Sequence, residues 1–321
     1  KKLMVIGCFL FGIGLIIQGG APFFIFFVLG ATLQAPASGI FVNLAQASLM
    51  DHQPKRRENN MALWTFSGSL AVVVGPLLLS GMLLLGQDWR FFFVSAGFIS
   101  IIISIFLTRR RLESDTENDS AEDDADSSKQ TLKKNLKIAS TLLKKGAVWR
   151  WLALLQISDL MLDVLFGLLA LYMVDIVGVT QTQAGLAIAT WTGVGLLGDF
   201  LLLPLLEKVR GLTYLRISSV ITLLLYPTFL MLPGFESKLI ALAFLGLFNA
   251  GWYSILQGKL YDTLGEHSGS ILIIGNVTGV IGALIPLGLG IVASQFGLVS
   301  AMWLLVISPI TLALSLFLIR S

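Results

Sequence analysis

The sequence predicts an all-α membrane protein with ten transmembrane helices, and three observations support this fold class. Hydrophobic residues make up 55% of the 321 residues and charged residues only 13%, which is too apolar for a soluble domain. Ten apolar runs are long enough to cross a bilayer. The Lys and Arg residues are confined to the ends of these runs and follow a sidedness pattern.

The apolar runs are separated by residues that end helices. Gly19-Gly20 and Pro22 separate the first two runs, and Pro233-Gly234 separates the seventh from the eighth. The predicted helices cover residues 3–18, 22–49, 61–86, 91–108, 148–176, 184–206, 213–233, 238–260, 270–295 and 299–319.

The basic residues predict the orientation of the helices. All of the 22 Lys and Arg residues except Arg90 and Lys238 lie at alternate ends of the runs, which predicts that those ends are cytoplasmic. We therefore expect an integral protein of the plasma (inner) membrane with both chain ends in the cytoplasm. Lys1 and Lys2 before an apolar run superficially resemble a signal peptide. Further runs follow directly without a cleavage pattern, so we interpret the first run as a membrane span at a truncated start.

One long hydrophilic segment divides the chain into three predicted parts. Residues 1–108 form an N-terminal bundle of four helices, residues 109–147 a cytoplasmic segment, and residues 148–321 a bundle of six helices. Within the middle part, residues 113–128 contain eight acidic residues among sixteen, which predicts a solvated linker. Apolar residues then recur at helical spacing among lysines, which predicts an amphipathic helix on the anionic inner leaflet.

The two bundles resemble each other in their glycine spacing. Gly68, Gly75 and Gly81 in the third run are spaced like Gly275, Gly282 and Gly288 in the ninth. By this alignment the first bundle lacks about two helices at its amino end. The simplest interpretation is a protein of two six-helix halves whose first helical hairpin is missing from this chain. A natural protein with ten spans is the alternative.

On this plan the chain resembles the major facilitator superfamily of secondary transporters over essentially its whole length. The resemblance implies that the ten helices correspond to helices 3–12 of that fold. Lys1-Lys2 look like the end of the family's Gly-x-x-x-Asp-Arg-x-Gly-Arg-Arg loop, and Glu207, Lys208 and Arg210 look like its second-half counterpart, which implies a gating role. Gly75-Pro76 is similar to the antiporter motif that ends Gly-Pro-x-x-Gly-Gly, with close helix packing as the alternative.

Three aspartates lie inside apolar runs, where carboxylates are rare. Asp159 and Asp163 are four residues apart and share one helix face with Gln156, while Asp199 lies in the sixth run. A carboxylate near the bilayer centre costs about 2.5–3.5 kcal/mol on insertion scales, and no Lys or Arg lies in the interior of any run. We expect these aspartates to carry a proton, face water or bind a cation, and to couple proton and substrate. A packing role and pairing with a base elsewhere are the alternatives.

A polar stripe on the eighth run predicts part of a substrate cavity. In the resembled fold the fifth and eighth runs face the central cavity. Asn249, Tyr253 and Gln257 are four residues apart, with Trp252 alongside. Further candidates, each of which could equally make an interhelical hydrogen bond, are Gln34, Asn43 and Asn276.

The sequence carries no motif of an enzyme or a metal site. Residues 193–198 spell the Gly-x-Gly-x-x-Gly dinucleotide fingerprint, but no strand precedes them and they lie inside an apolar run. His52 and His267 fall in predicted loops without a metal-ligand pattern. We therefore predict a protein that is not an enzyme and has no cofactor, no metal and no nucleic-acid partner.

The most concrete prediction is a secondary transporter that moves a small molecule by alternating access, coupled to protons, in drug or metabolite efflux or uptake. Symport and antiport are both open. The alternatives are a permease subunit of an ATP-driven complex and a non-transporting receptor or scaffold that binds through the acidic linker.

Overall fold

The computed structural model describes residues 2–52, 54–109, 140–265 and 271–318. Side chains are described at all of these positions except 51, 52, 54, 76, 77, 80, 83, 84, 109, 271–281, 283 and 318. The acidic segment 113–128, most of the predicted amphipathic helix and His267 lie outside the described residues, as do the side chains of His52, Pro76 and Asn276.

Helices occupy every predicted run, and no β-strand occurs in the described ranges. Within the first four runs the helices are α1 (Lys2–Gly19), α2 (Phe24–His52), α3 (Arg57–Leu84) and α4 (Trp89–Arg109). The remaining helices are α5 (Gly146–Ile176), α6 (Gln181–Lys208), α7 (Gly211–Met231), α8 (Phe235–Leu264), α9 (Ile271–Phe296) and α10 (Leu298–Leu304 with Ile307–Leu318).

The all-α membrane fold predicted from composition is confirmed by these helices. Eight of them in the described part of the chain, all but α3 and α9, are long and apolar enough to cross a membrane. The count of ten spans stays a prediction. Large apolar side chains such as Phe24, Leu224 and Leu314 are exposed on the helix surfaces, as a lipid-facing surface requires.

Local sequence explains where individual helices begin. Thr180 caps α6: its hydroxyl accepts a hydrogen bond from the Gln183 N–H (3.3 Å), and the Gln183 side chain accepts one from the Thr180 N–H (3.0 Å). Gly234 precedes α8 with a φ of 76°, a conformation that favours glycine, so the chain reverses there between α7 and α8.

The chain divides into two compact units, and α3 is shared between them. One unit contains the described residues of Lys1–Leu49, Val74–Ser140 and His267–Ile273, and the other those of Met50–Val73, Thr141–Glu266 and Ile274–Ser321. The division predicted from sequence places all of α3 in the first bundle. The structure groups its amino half with the second unit because that half contacts α6, α7 and α8.

In the first unit, α1 packs closely against α2 and α4 through glycines. A Cβ atom added to Gly12 would lie 2.8 Å from the Gly97 carbonyl oxygen on α4, and one added to Gly14 would lie 2.9 Å from the Gly30 carbonyl oxygen on α2. Ser100 donates a hydrogen bond to the Cys8 carbonyl at 2.9 Å across the same α1–α4 contact. Small residues allow this backbone approach, as is usual between membrane helices.

In the second unit, the glycines of the dinucleotide-like sequence pack α6 against α8. A Cβ atom on Gly198 would lie 2.7 Å from the Ala250 Cβ atom, and Gly195 faces Gly246 across the same contact. A Cβ atom on Gly246 would collide with the Trp191 carbonyl oxygen. Gly195, Gly198 and Gly246 are therefore helix-packing glycines.

Candidate functional site

Helix α5, which carries two of the intramembrane aspartates, is not a regular α-helix. An α-helical segment ends at Ser158, a π-helical turn covers Leu160–Val164, and a second π turn follows at Tyr172–Ile176. In the first π turn the Val164 N–H donates to the Asp159 carbonyl at 3.0 Å. The sequence predicted an unbroken α-helical stripe here, and that detail was wrong. A π turn of this kind is frequent at functional sites.

A cavity of about 490 Å³ lies in the second unit beside this π turn. Helices α3, α5, α6 and α8 line it. All three intramembrane aspartates are among its lining residues, which are Thr65, Ser69, Val72, Asp159, Leu162, Asp163, Trp191, Thr192, Gly195, Leu196, Asp199, Gly246, Asn249, Ala250, Gly251 and Tyr253. Its size is in the range that holds a small organic molecule.

Asp159 and Asp163 line this cavity, and no described residue gives either of them a basic partner. Gln156 donates a hydrogen bond of 3.4 Å to Oδ2 of Asp159. Among the described residues no hydrogen bond or ion pair reaches the side chain of Asp163. None of the sixteen lining residues is Lys, Arg or His, so nothing in the described wall of the cavity neutralises the two carboxylates.

Asp199 differs from the other two because it is held by hydrogen bonds. The Ser69 hydroxyl on α3 donates to Oδ2 of Asp199 at 2.6 Å. The backbone N–H of Gly251 on α8 donates to the same carboxylate. Asp199 thus connects three helices, and it is less available than Asp163 to bind a ligand.

Helix α8 is broken next to Asp199, which changes the predicted polar stripe. The break lies at Ala250 (ψ 139°) and Gly251 (φ 80°), between Phe235–Asn249 and Trp252–Leu264. A side chain at Gly251 would collide with Leu202 and would also be strained at this φ. The Tyr214 hydroxyl donates to the freed Ala250 carbonyl at 2.9 Å. The prediction of a continuous helix through residues 238–260 was therefore wrong.

Asn249 ends the first segment of α8 and holds the π turn of α5. Its Nδ2 atom donates to the Met161 carbonyl (3.4 Å), and its Oδ1 atom accepts from the Thr222 hydroxyl (3.2 Å). Asn249 lines the cavity, but both ends of its amide are already engaged. It positions the helices around the aspartates.

The structure separates the other cavity candidates of the second unit. Tyr253 lines the cavity. Trp252 is fully buried elsewhere, where its indole N–H donates to the Ser218 hydroxyl at 3.0 Å. Gln257 is also buried and does not line the cavity. Gln156 packs beside Asp159 and against Gly282. A Cβ atom added to Gly282 would lie 2.5 Å from Nε2 of Gln156.

The candidates in the first unit make other contacts. Gln34 accepts a hydrogen bond of 2.6 Å from Gln18 on α1. Asn43 donates to the Gly39 carbonyl of its own helix at 2.7 Å. No described atom lies within 4 Å of a Cβ atom added to the motif-like Gly75.

A charged cluster surrounds the start of α3; its members are Arg56, Arg57, Glu58, Glu207, Lys259 and Asp262. Its best-protected pair is Glu58 with Lys259, at 2.6 Å. Glu58 also accepts a hydrogen bond of 3.2 Å from the N–H of Gly211 at the start of α7. The motif-like Glu207 pairs with Arg56 at 2.8 Å, although both are more than half exposed. The side chains of Lys208 and Arg210 are exposed.

Sequence reasoning missed two features of this unit. Lys238 was predicted to lie at the non-cytoplasmic end of the eighth run, where an exposed side chain is usual. It is 4% exposed, and its ammonium donates to the Phe229 carbonyl (2.7 Å), the Leu230 carbonyl (3.1 Å) and the Tyr172 hydroxyl (3.1 Å). The burial of this ammonium at the start of α8 was not predicted. Trp191 was also missed, although it lies two turns before Asp199 on the same face of the run.

The described helices thus form a polytopic membrane protein whose second unit contains a cavity lined by aspartates. The chain matches the sequence profile of the Major Facilitator Superfamily over residues 1–286, and it belongs to this family. Members are membrane transporters without enzymatic activity, which confirms the predicted class.

Individual relatives support the same assignment. The chain is 30% identical over 117 residues to a protein of Bacillus subtilis (strain 168) described as "Uncharacterized MFS-type transporter YhcA". The matching stretch is 35% of this chain and 22% of that protein, about a fifth of its length. The fold is similar to the crystal structure of the transporter FucP in the outward conformation, with a TM-score of 0.73 at 17% identity. The match covers 99% of this chain and 83% of that one.

Proposed function

We propose that this protein is a proton-coupled secondary transporter that moves a small molecule by alternating access, with Asp159 and Asp163 as the residues that take up and release the proton. The observation that carries the proposal is the pair of carboxylates on one cavity wall without a described basic neighbour. Membership of the family favours secondary transport over the permease-subunit and receptor alternatives.

The coupling follows from the cost of a carboxylate away from water. When the cavity is open to solution, an ionised Asp159 or Asp163 is hydrated. When the cavity closes, the neutral form is favoured, because a charge near the bilayer centre is expensive without a partner. Protonation therefore changes which conformation is preferred, and a pH difference across the membrane can drive the cycle. Asp199 supports this step by fixing α3, α6 and α8 around the cavity.

The charged cluster at the start of α3 is the proposed gate. The positive-inside pattern supports a cytoplasmic position for this cluster, in a proposed plasma (inner) membrane protein with both ends in the cytoplasm. Glu58 connects Lys259 of α8 to the amino end of α7, where the helix dipole favours a negative charge. Glu207 contributes through Arg56, while Lys208 and Arg210 are exposed, so Glu58 takes the larger part of the gating role.

The test measures proton-coupled flux in proteoliposomes that contain the full-length protein and the pH dye pyranine. A metabolite and drug mixture is added outside with a pH gradient or with the gradient collapsed by nigericin, and accumulated compounds are identified by mass spectrometry. We expect gradient-dependent accumulation of at least one compound, which Asp163→Asn and Asp159→Asn abolish.

Asp175→Asn is the matched control, because Asp175 is exposed on the same helix and does not line the cavity. This variant should accumulate the compound at the normal rate. Unchanged gradient-driven accumulation in both Asp159→Asn and Asp163→Asn would show that these carboxylates do not couple the proton.

A further inference from the structure

We propose that Asn249 is a positioning residue for the carboxylate of Asp163, and that the Thr222 hydroxyl orients the amide of Asn249. By holding α5 in the π turn Leu160–Val164, this pair keeps Asp163 on the wall of the cavity. The inference rests on the proposed function and adds the residues, on two other helices, that set the position of its proton-binding carboxylate.

The π turn leaves the Met161 carbonyl without its usual helical donor. In an α-helix the Leu165 N–H would donate to this oxygen, but here it donates to the Leu160 and Leu162 carbonyls. Met161 is fully buried, so solvent does not satisfy this oxygen. An unpaired buried carbonyl is costly, and the π turn is therefore stabilised by a donor from another helix.

Asn249 on α8 supplies such a donor. Its Nδ2 atom donates to the Met161 carbonyl oxygen at 3.4 Å, and its side chain is buried. Asn249 is also the last residue of the first segment of α8, directly before the break at Ala250 and Gly251. One amide thus connects the irregular turn of α5 to the irregular turn of α8.

Thr222 on α7 determines which way the amide of Asn249 points. Its hydroxyl is fully buried and donates to Oδ1 of Asn249 at 3.2 Å. If the amide were reversed, Oδ1 would face the Met161 carbonyl oxygen, and two acceptors would meet without a proton between them. The Thr222 hydroxyl therefore favours the orientation in which Nδ2 reaches the π turn.

The register of α5 decides where the Asp163 side chain lies. A π turn holds one residue more than an α turn, so its loss would rotate the following part of the helix by about 100° relative to the preceding part. Asp163 lies inside this turn and is exposed on the cavity wall, whereas Asp159 precedes the turn. Without the Asn249 bond we expect Asp163 to turn away from the cavity.

The test measures how fast a thiol at position 163 reacts with the water-soluble reagent MTSET in the purified full-length protein in detergent. Asp163→Cys is combined with Cys8→Ser, because Cys8 is the only cysteine of the chain. In this background we expect Asn249→Leu and Thr222→Val each to slow the reaction at least about fivefold, since each removes a buried hydrogen bond that supports the π turn.

Thr192→Cys is the matched reporter, because Thr192 lines the same cavity from α6. It also carries Cys8→Ser, and its reaction rate should change by less than about twofold in Asn249→Leu and Thr222→Val. This comparison separates a movement of position 163 from a general change of the cavity.

Two further variants of α7 separate the hydroxyl from general damage to the fold. Thr222→Ser keeps the hydroxyl and should retain the normal rate at position 163. Thr228→Val should also leave that rate unchanged, because the exposed Thr228 hydroxyl donates only to the Leu224 carbonyl of its own helix. Thr222→Val removes a single hydroxyl without changing the shape of the side chain, so it decides the test if Asn249→Leu does not fold.

An unchanged rate at position 163, an equal fall at positions 163 and 192, or a fall with Thr222→Ser as large as with Thr222→Val would overturn the proposal. The thiol reaction needs neither a substrate nor a pH gradient, so it is independent of the transport assay. A slower reaction at position 163 without gradient-driven accumulation leaves the positioning role and removes proton coupling. Gradient-driven accumulation that depends on Asp163, with an unchanged thiol rate, removes only the positioning role of Asn249.

Discussion

The hydroxyl oxygen of Ser69 lies 2.6 Å from Oδ2 of Asp199, so one hydrogen bond joins α3 to α6 at the wall of the cavity. The Gly251 N–H donates to the same carboxylate from the broken part of α8. A carboxylate with two donors is fixed in place, whereas the Asp163 side chain has no described partner. We therefore expect different roles for the two aspartates: Asp199 holds helices together, and Asp163 takes up and releases the proton.

A double-mutant cycle with Ser69→Ala and Asp199→Asn should reveal this contact. We expect a coupling energy of about 1–3 kcal/mol, because a hydrogen bond to a charged acceptor is stronger than one between neutral groups. The measurement is unfolding of the purified protein in mixed micelles with increasing denaturing detergent. Ser67→Ala is the matched control, since the Ser67 hydroxyl only donates to the Leu63 carbonyl of its own helix. Additive effects of Ser69→Ala and Asp199→Asn would contradict the contact.

The Glu58–Lys259 pair should contribute more to stability than the exposed Arg56–Glu207 pair. Glu58→Gln removes the charge from a 2.6 Å ion pair and weakens the bond to the Gly211 N–H, so we expect a loss of about 1–3 kcal/mol in the same unfolding assay. Glu207→Gln should cost less than about 1 kcal/mol because that pair is largely solvated.

The charge-exchanged variant Glu58→Lys with Lys259→Glu tests whether the ion pair itself is responsible. It should recover part of the stability that Glu58→Lys alone loses, since opposite charges again face each other across α3 and α8. The Gly211 N–H would still lack its acceptor, so recovery is expected to be incomplete. No recovery would assign the effect of Glu58 to its contact with α7.

The fold could be predicted from sequence because bilayer thickness and positive-inside bias act on whole helices. The predicted runs and the observed helices agree to within a few residues at most ends, as α7 shows with 213–233 against Gly211–Met231. The irregular backbone could not be predicted in the same way. The π turn after Asp159 and the break at Gly251 depend on partners such as Asn249 and Tyr214, which come from other helices.

Only part of the candidate site could be predicted from the sequence. Asp159, Asp163 and Asp199 were found because a carboxylate inside an apolar run is conspicuous. Ser69 was not, because a serine in an apolar helix usually bonds to its own backbone, and only the fold brings it to a carboxylate 130 positions away. The burial of Lys238 was not predicted, because a lysine at the start of an apolar run resembles an exposed interfacial residue.

Lys238 should stabilise the turn between α7 and α8. Its ammonium satisfies the carbonyls of Phe229 and Leu230 in the last turn of α7, where a positive charge also complements the helix dipole. Lys238→Met should therefore lower the free energy of unfolding by about 1–3 kcal/mol, because those carbonyls lose their donor. Lys208→Met, at an exposed position, should change it by less than about 0.5 kcal/mol. Equal small effects of both variants would mean that the buried ammonium adds nothing to stability.

The dinucleotide-like glycines should respond unequally to alanine, because only some of them face α8. A Cβ atom on Gly198 would lie 2.7 Å from the Ala250 Cβ atom and 3.0 Å from the Leu247 carbonyl oxygen, and no rotation of a methyl group relieves either contact. Gly198→Ala should therefore destabilise the protein by about 1–3 kcal/mol. It should also disturb the adjacent Gly251 N–H contact of Asp199.

Gly193→Ala is the internal control, because no described atom lies within 4 Å of a Cβ atom at this position. Alanine favours the helix over glycine by up to about 1 kcal/mol, so this variant should be neutral or slightly more stable. Both variants are measured by unfolding in mixed micelles and by yield of monodisperse protein. Equally small effects of Gly198→Ala and Gly193→Ala would contradict the packing role of Gly198. A large difference in stability between Gly198→Ala and Gly193→Ala is expected only if the close approach of α6 to α8 requires glycine at position 198.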